Sequence, residues 1–195
     1  MSTAPKTYLS TTQYLALERR AEFKSHYYRG EMFAMAGASR EHNLIVGNLV
    51  REIGNALKDR RCEVYPSDMR VKVAATGLYT YPDATVVCGE PEFEDNQFDT
   101  LTNPMVLFEV LSASTELWDR SGKFRQYREI PSLREYVMIT QDRASVERYI
   151  RQADGGWLLQ EIQSIEDSVE FDSIAVTIPL SEIYRNIRFE DPENA

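Results

Sequence analysis

The stretch NPMVLFEVLSAS, Asn103–Ser114, decides how this chain folds. Six of the seven residues from Met105 to Leu111 are apolar, and the seventh is Glu109. Such a run predicts a strand buried on both faces. An isolated carboxylate is very costly there. Glu109 therefore needs a partner for its charge, and the rest of the sequence is read for that partner.

The 195 residues suit one domain with a substantial core. At 43% hydrophobic and 27% charged, the composition is that of a soluble globular protein. The net charge of −9 argues against broad electrostatic binding to nucleic acid or an anionic membrane, though not against a local basic groove. Cys62 and Cys88 lie far apart in sequence and in no metal-binding spacing, so they read as small core residues of a reducing compartment. No segment has the length and apolarity of a signal peptide or a membrane span, and a cytoplasmic protein is expected.

Around the opening strand the chain shows no repeats and no linker. Ser10–Glu18 predicts a short capped helix. His26–Ala36 reads as strand with a turn at Arg29–Gly30. From Ser39, a good N-cap, the spacing of His42, Val46, Leu49, Ile53 and Leu57 predicts a helix of about five turns. Cys62–Pro66, Met69–Ala75 and Pro82–Gly89 are valine-rich and strand-like. EPEFEDNQFDTLTNP reads as an acidic loop. A second helix follows the SAST of the opening strand and ends at Pro131. REYVMIT, SVERYIRQ and GWLLQEIQS predict three more strands, and PLSEIY a final short helix. The fold class is α/β, of the mixed α+β kind: a mixed sheet with helices packed on it. The expected domain is one unit over 1–195, with residues 1–25 an N-terminal helical extension.

Pro82–Asp83 opens another buried-looking strand, which supplies a candidate neighbour for Glu109. Two carboxylates on adjoining core strands repel unless a cation lies between them. A hard divalent ion such as Mg²⁺ or Mn²⁺ fits oxygen ligands, and a structural salt bridge is the alternative. Asp119, Lys123 and Tyr127 are spaced by four, and Ile130 falls on the same stripe, so the stripe faces the protein and Lys123 can reach back over the strand end. The competing reading is an Asp119–Lys123 surface pair worth a few tenths of a kcal/mol.

YRGEMFAMAGASREHN, YPDATVVCG and LFEVLSASTELWDRSGKFRQYREIPSLREYVMITQD together resemble the Uma-two family, classed as endonucleases within the PD-(D/E)XK nuclease superfamily. The ordered set PD, EVLS, D-x-x-x-K and Y carries the resemblance, which runs from Tyr27 to Tyr184. It implies a restriction-endonuclease-like core, a mixed sheet flanked by helices. It implies metal ligation by Asp83, Glu109 and the backbone carbonyl of Val110. The lysine position of the general motif is Leu111 here, and the resemblance moves that role to Lys123 on the following helix. Asp83, Glu109 and Lys123 are thus the expected catalytic residues, with Glu31, His42, Asp119 and Tyr127 in support. His42 also reads as a core-facing or orienting residue of the long helix.

The implied chemistry is Mg²⁺- or Mn²⁺-dependent hydrolysis of phosphodiesters in nucleic acid, most plausibly DNA. Arg40, Arg51, Lys58, Arg60 and Arg61, and on the second helix Arg120, Arg125 and Arg128, are candidates for phosphate contacts, set against solvated helix faces. A homodimer would allow double-strand cleavage. Two other classes stay open: a catalytically inactive nuclease-fold binding protein, and a metal-dependent hydrolase of small phosphates. Lys72 is the next candidate should Lys123 fail.

Overall fold

A computed structural model describes residues 8–112 and 115–189. In chain order the elements are α1 (Thr11–Glu18), β1 (Ser25–Tyr28), β2 (Glu31–Ala34), α2 (Arg40–Leu57), β3 (Cys62–Pro66), β4 (Arg70–Val73), β5 (Leu78–Thr80), β6 (Ala84–Cys88), β7 (Thr100–Leu101) and β8 (Val106–Leu111). A π-helical segment, Trp118–Lys123, then runs into α3 (Phe124–Tyr127). β9 (Glu135–Thr140), β10 (Val146–Arg151), β11 (Trp157–Ile162), β12 (Ser168–Phe171), β13 (Val176–Pro179) and α4 (Leu180–Ile183) follow.

The architecture is mixed α/β, but the strands divide among separate sheets rather than one. Six form the central sheet in the order β11-β10-β9-β8-β6-β3, and five form a second sheet in the order β2-β1-β5-β4-β7. β12 and β13 form a two-stranded ribbon. The central sheet is mixed: β8 and β9 are parallel, and β6 runs antiparallel to β8. The chain crosses from the second sheet to the central one in the three residues Tyr81–Asp83, between β5 and β6.

Every residue of β8 is buried, as its apolar run requires. Alternation sends Val106, Phe108 and Val110 into a core with Ile45, Leu49 and Ile53 of α2. Leu107 and Leu111 enter a different core with Tyr127, Leu133, Tyr136 and Met138, closed by Val71, Val73 and Leu78 of the second sheet. Burying each such aliphatic or aromatic side chain contributes roughly 1.5–3 kcal/mol. Glu109 stands between Leu107 and Leu111 in this alternation and faces the second core.

The predicted helix from Ser39 forms as α2, with the Ser39 hydroxyl accepting the His42 N–H at 3.0 Å. The N-terminal helix forms with a capping box between Ser10 and Gln13. Its Tyr14 stacks on Tyr27 and contacts Tyr79, which docks α1 onto the second sheet.

Three expectations need correction. The second helix is not a regular α-helix but begins as a π-turn, and Ala113 and Ser114 of its SAST lead lie outside the described residues. The acidic segment is not all loop: Thr100–Leu101 pairs in parallel with β4. Asp95 and Asp99 of that segment also bind Arg19 of the α1 C-cap, each at 2.8 Å. The cysteines are not free. The antiparallel register of β3 and β6 sets Cys62 opposite Cys88, and they form a disulfide. Free thiols were the ground for reading a reducing compartment, and that ground is gone.

Candidate active site

Asp83 is the residue just before β6, and the register of Ala84 with Phe108 carries on to set Asp83 beside Glu109. The Asp83 N–H donates to the Phe108 carbonyl at 3.0 Å, fixing the backbone. The Val110 N–H then donates to Asp83 Oδ2 at 2.7 Å, fixing the side chain. Strand geometry directs the Val110 carbonyl to the same side as its N–H, past the start of β6. His42, in the first turn of α2, places Nε2 3.2 Å from the same Asp83 oxygen. Its Nδ1 is buried with no hydrogen-bond partner. The helical spacing had pointed His42 at the core; the structure aims it at Asp83.

Lys123 is the partner of Glu109. Its Nζ lies 2.8 Å from Glu109 Oε2 and 2.8 Å from Asp119 Oδ1. The Tyr127 hydroxyl donates to Glu109 Oε1 at 2.8 Å. Glu109, Asp119 and Lys123 are only 3%, 1% and 5% exposed, which rules out the surface-pair reading. The stripe Asp119–Lys123–Tyr127–Ile130 is buried along its length. The π-turn places it: the Tyr136 hydroxyl donates to the Asp119 carbonyl at 3.0 Å, and the Trp118 ring lies over Gly122, where a Cβ would come within 1.9 Å of the indole.

The electrostatics follow from this crowding. Burial first, then Asp119 and Asp83, push the Glu109 carboxyl up to about 8, with Lys123 opposing. Burial would lower the Lys123 ammonium, but Glu109 and Asp119 hold it above its usual range. Glu109 and Asp119 share the Lys123 ammonium, and Asp83 adds a third acidic group close enough to raise the Glu109 carboxyl.

Glu31 opens β2 opposite Tyr28 and is half-buried. The pairing puts it on the hairpin face that also carries His26 and Phe33. Lys72 is not near this cluster in its bonding: its Nζ pairs with Glu94 at 2.7 Å. Among the candidate phosphate contacts, Arg60 is bound to the Ile174 and Ala175 carbonyls and Arg120 to Glu116 and Glu147. Arg51 pairs with Glu52. Arg40, Lys58, Arg61, Arg125 and Arg128 are exposed.

One residue of this region was missed in the sequence. His26 on β1 lies beside Thr80, with Nδ1 2.8 Å from the Thr80 hydroxyl. Burial first, then the Lys123 ammonium, push its imidazole down to about 3, with Asp83 opposing. No spacing marks His26 in the sequence. Only the β1–β5 pairing brings it here.

Against known families, the model described as "Uma2: Putative restriction endonuclease" matches residues 11–181. The chain belongs to the Uma2 family. Two Synechocystis proteins are similar along nearly their whole length. Uncharacterized protein sll1609 is 39% identical over 176 residues, covering 90% of this chain and 99% of the relative. Uncharacterized protein slr1290 is 36% identical over 186 residues, covering 95% and 96%. Among solved structures, a "putative nuclease belonging to DUF820" from Anabaena variabilis ATCC 29413 superimposes with a TM-score of 0.74 at 17% identity, over 90% of this chain and 97% of the other. This chain shares that fold. Asp83, Glu109, Lys123 and Tyr127 all lie inside the span that matches the Uma2 family.

Proposed function

We propose that this chain is a metal-dependent endonuclease that hydrolyses phosphodiester bonds of DNA, with Mg²⁺ or Mn²⁺ held by Asp83, Glu109 and the Val110 carbonyl. The supporting observation is the pairing of two carboxylates: the β6–β8 register sets Asp83 beside Glu109, while Glu109 and Asp119 share the single Lys123 ammonium. A divalent cation held between Asp83 and Glu109 would offset the repulsion of the two carboxylates. The donors are all oxygen, which suits a hard ion. Among the described residues no three His, Cys, Asp or Glu side chains form a metal cage, so the proposed ion would rest on two carboxylates and one backbone carbonyl, with water in its other positions. When bound, the ion supplies charge neutralisation at the phosphate and a more acidic water.

The chain's own residues divide the remaining work. The Val110 N–H and His42 hold Asp83 in one orientation. Tyr127 holds Glu109 through Oε1. Lys123, next to Glu109 Oε2, is placed to steady negative charge developing on the phosphate or to orient the attacking water. Exposed Arg40, Lys58, Arg61, Arg125 and Arg128 are candidates for phosphate contacts, and a homodimer would bring two such sites to one duplex. One observation favours a second reading, a nuclease fold without catalysis: both oxygens of Glu109 already have protein partners.

Supercoiled plasmid with Mg²⁺, Mn²⁺ or EDTA separates the two. Nicking that needs the metal and is lost in Asp83→Asn supports the enzyme. A protein that binds neither ion in calorimetry and leaves plasmid intact is the inactive fold. Cleavage of small phosphodiesters without cleavage of DNA would move the substrate class.

A further inference from the structure

The Ser39 hydroxyl has two partners. It accepts the His42 N–H at 3.0 Å, which caps α2. Its one proton goes to Gln141 Oε1 at 2.6 Å. Gln141 is the residue after β9, so a single hydroxyl ties the first turn of α2 to the end of a central strand. Ser39 and Gln141 are 102 residues apart, and only the fold brings them together.

The tie matters because of what that turn carries. Ile45, Leu49, Ile53 and Leu57 anchor α2 in the core. His42 lies one turn ahead of Ile45, between that anchor and the cap. Its Nε2 stands 3.2 Å from Asp83 Oδ2, the oxygen that also takes the Val110 N–H at 2.7 Å. A strand contact and a helix contact thus meet on one oxygen and together fix how the carboxylate turns. The β6–β8 pairing sets the strand contact. The helix contact depends on where the first turn of α2 sits.

Gln141 is firmly placed for this work. Thr140 pairs with Leu111, so Gln141 follows its strand level with Ser112, beside the end of β8. The turn that Gln141 opens is closed by the Thr140 N–H donating to the Ser145 carbonyl at 3.1 Å. The Thr140 hydroxyl also donates to the Arg143 carbonyl at 2.7 Å. On the helix side, Asn43 Nδ2 donates to the Ser39 carbonyl at 2.7 Å and holds the cap residue itself. Partners behind a metal ligand fix its orientation and tune its affinity.

We propose that Gln141 is a positioning residue of the active site, acting through the Ser39 cap to hold His42 against Asp83. The inference rests on the metal-site reading above but can fail separately from it.

The test starts with the imidazole ¹⁵N spectrum of the metal-free protein in EDTA. The chain holds two histidines, and His26→Ala assigns the signals. Gln141→Met keeps the length of the side chain and removes the acceptor. It should shift the His42 signals and leave those of His26 in place. Once Ser39→Ala is present, Gln141→Met should have no further effect. Ser39→Thr keeps a hydroxyl and should leave the His42 signals unmoved. A His42 spectrum indifferent to Gln141→Met, or one that it still shifts when Ser39→Ala is present, overturns the proposal whether or not the protein binds metal. So does a Ser39→Thr variant as perturbed as Ser39→Ala.

Calorimetry with Mn²⁺ then reads the consequence. Gln141→Met should weaken binding about tenfold, as is usual for residues behind the ligands, and Ser39→Thr should not. In His42→Ala, where the contact with Asp83 is already gone, Gln141→Met should add nothing. Unchanged affinity in Gln141→Met, or a full loss on top of that of His42→Ala, overturns the proposal. Absence of Mn²⁺ binding in the unaltered protein would refute the metal-site reading, and the spectra alone then decide whether Gln141 holds His42.

Discussion

Glu109→Gln in metal-free buffer discriminates most sharply between a metal site and a structural ion pair. The folded chain holds the Glu109 carboxyl at about 8 against an ordinary 4.5. At about 1.4 kcal/mol per pH unit, the ionised carboxylate is ~5 kcal/mol worse off in the folded than in the unfolded chain. The folded value is raised, so the stability Glu109 contributes is complete below 4.5 and is lost as pH climbs through 8. Glutamine cannot ionise and does not share this loss. It keeps an oxygen for the Tyr127 hydroxyl but turns an amide toward Lys123. Losing that charge-assisted contact costs roughly 1.5–3 kcal/mol. At pH 8 in EDTA the variant should therefore be more stable than the unaltered protein by ~1–3 kcal/mol. Near pH 5 the order should reverse, because Glu109 is then largely neutral in the fold. Urea unfolding from pH 5 to 8 reads both values. Saturating Mg²⁺ should stabilise the unaltered protein and leave the variant unmoved. Parallel pH curves, or a variant weaker at every pH, would show that Glu109 serves chiefly as the anion of a structural pair with Lys123, and the argument from repelling carboxylates would fall.

Lys123→Ala leaves Glu109 and Asp119 buried without their cation, so it should lower stability in EDTA by about 3–5 kcal/mol. Mn²⁺ should restore much of that, while plasmid cleavage stays abolished; full cleavage by this variant would remove Lys123 from the proposed mechanism. Lys123→Arg should rescue poorly, since a planar fork does not replace a compact ammonium between two carboxylates. Gly122→Ala should displace the Trp118 ring, seen as a red-shifted indole emission in a Trp157→Phe background, and destabilise the fold by roughly 1–3 kcal/mol; unchanged emission would mean the ring does not rest on Gly122. Asp99 is held well below the usual carboxylate range, first by Arg19 and also by Arg70, so its contribution is present above that range and lost as pH falls into it. Asp99→Asn should flatten the acid limb of the stability curve and, because the pair is partly exposed, cost only about 1 kcal/mol at pH 7. An unaltered acid limb would show that the Arg19 contacts add nothing.

Local pattern carried the sequence reading a long way. β8 was legible because Met105–Leu111 interrupts its apolar run only once, and α2 because its cap and its apolar spacing agree. The Asp119–Lys123–Tyr127–Ile130 stripe was legible as protein-facing, although its π-helical form was not. β12 and β13 carried a signal that was passed over, since SVEF and VTIP bury alternate residues. β5 and β7 are two or three residues long, too short for any periodicity. The disulfide was hidden for another reason. Cys62 and Cys88 meet only through the β3–β6 register, and their separation of 26 residues carries no such information. His26 escaped in the same way, because its meaning lies in the residue across from it rather than in those beside it.

The same non-local logic explains why a lysine enters this site from a helix. Leu111 stands two residues after Glu109 in β8, so alternation puts both on one face of the sheet. An ammonium from that position would begin among Tyr127, Tyr136 and Met138, where Leu111 is buried. The second sheet closes this core from the other side with Val71, Val73 and Leu78. A charge rooted in β8 would thus be surrounded by apolar side chains. One rooted in the π-turn arrives from the rim and meets Glu109 and Asp119 together. The widened turn presents Lys123 and Asp119 to each other across one turn, with Gly122 making room for Trp118. π-Turns are energetically poor and recur at functional sites. Here the wide turn delivers a cation to a carboxylate whose own strand has no room for one.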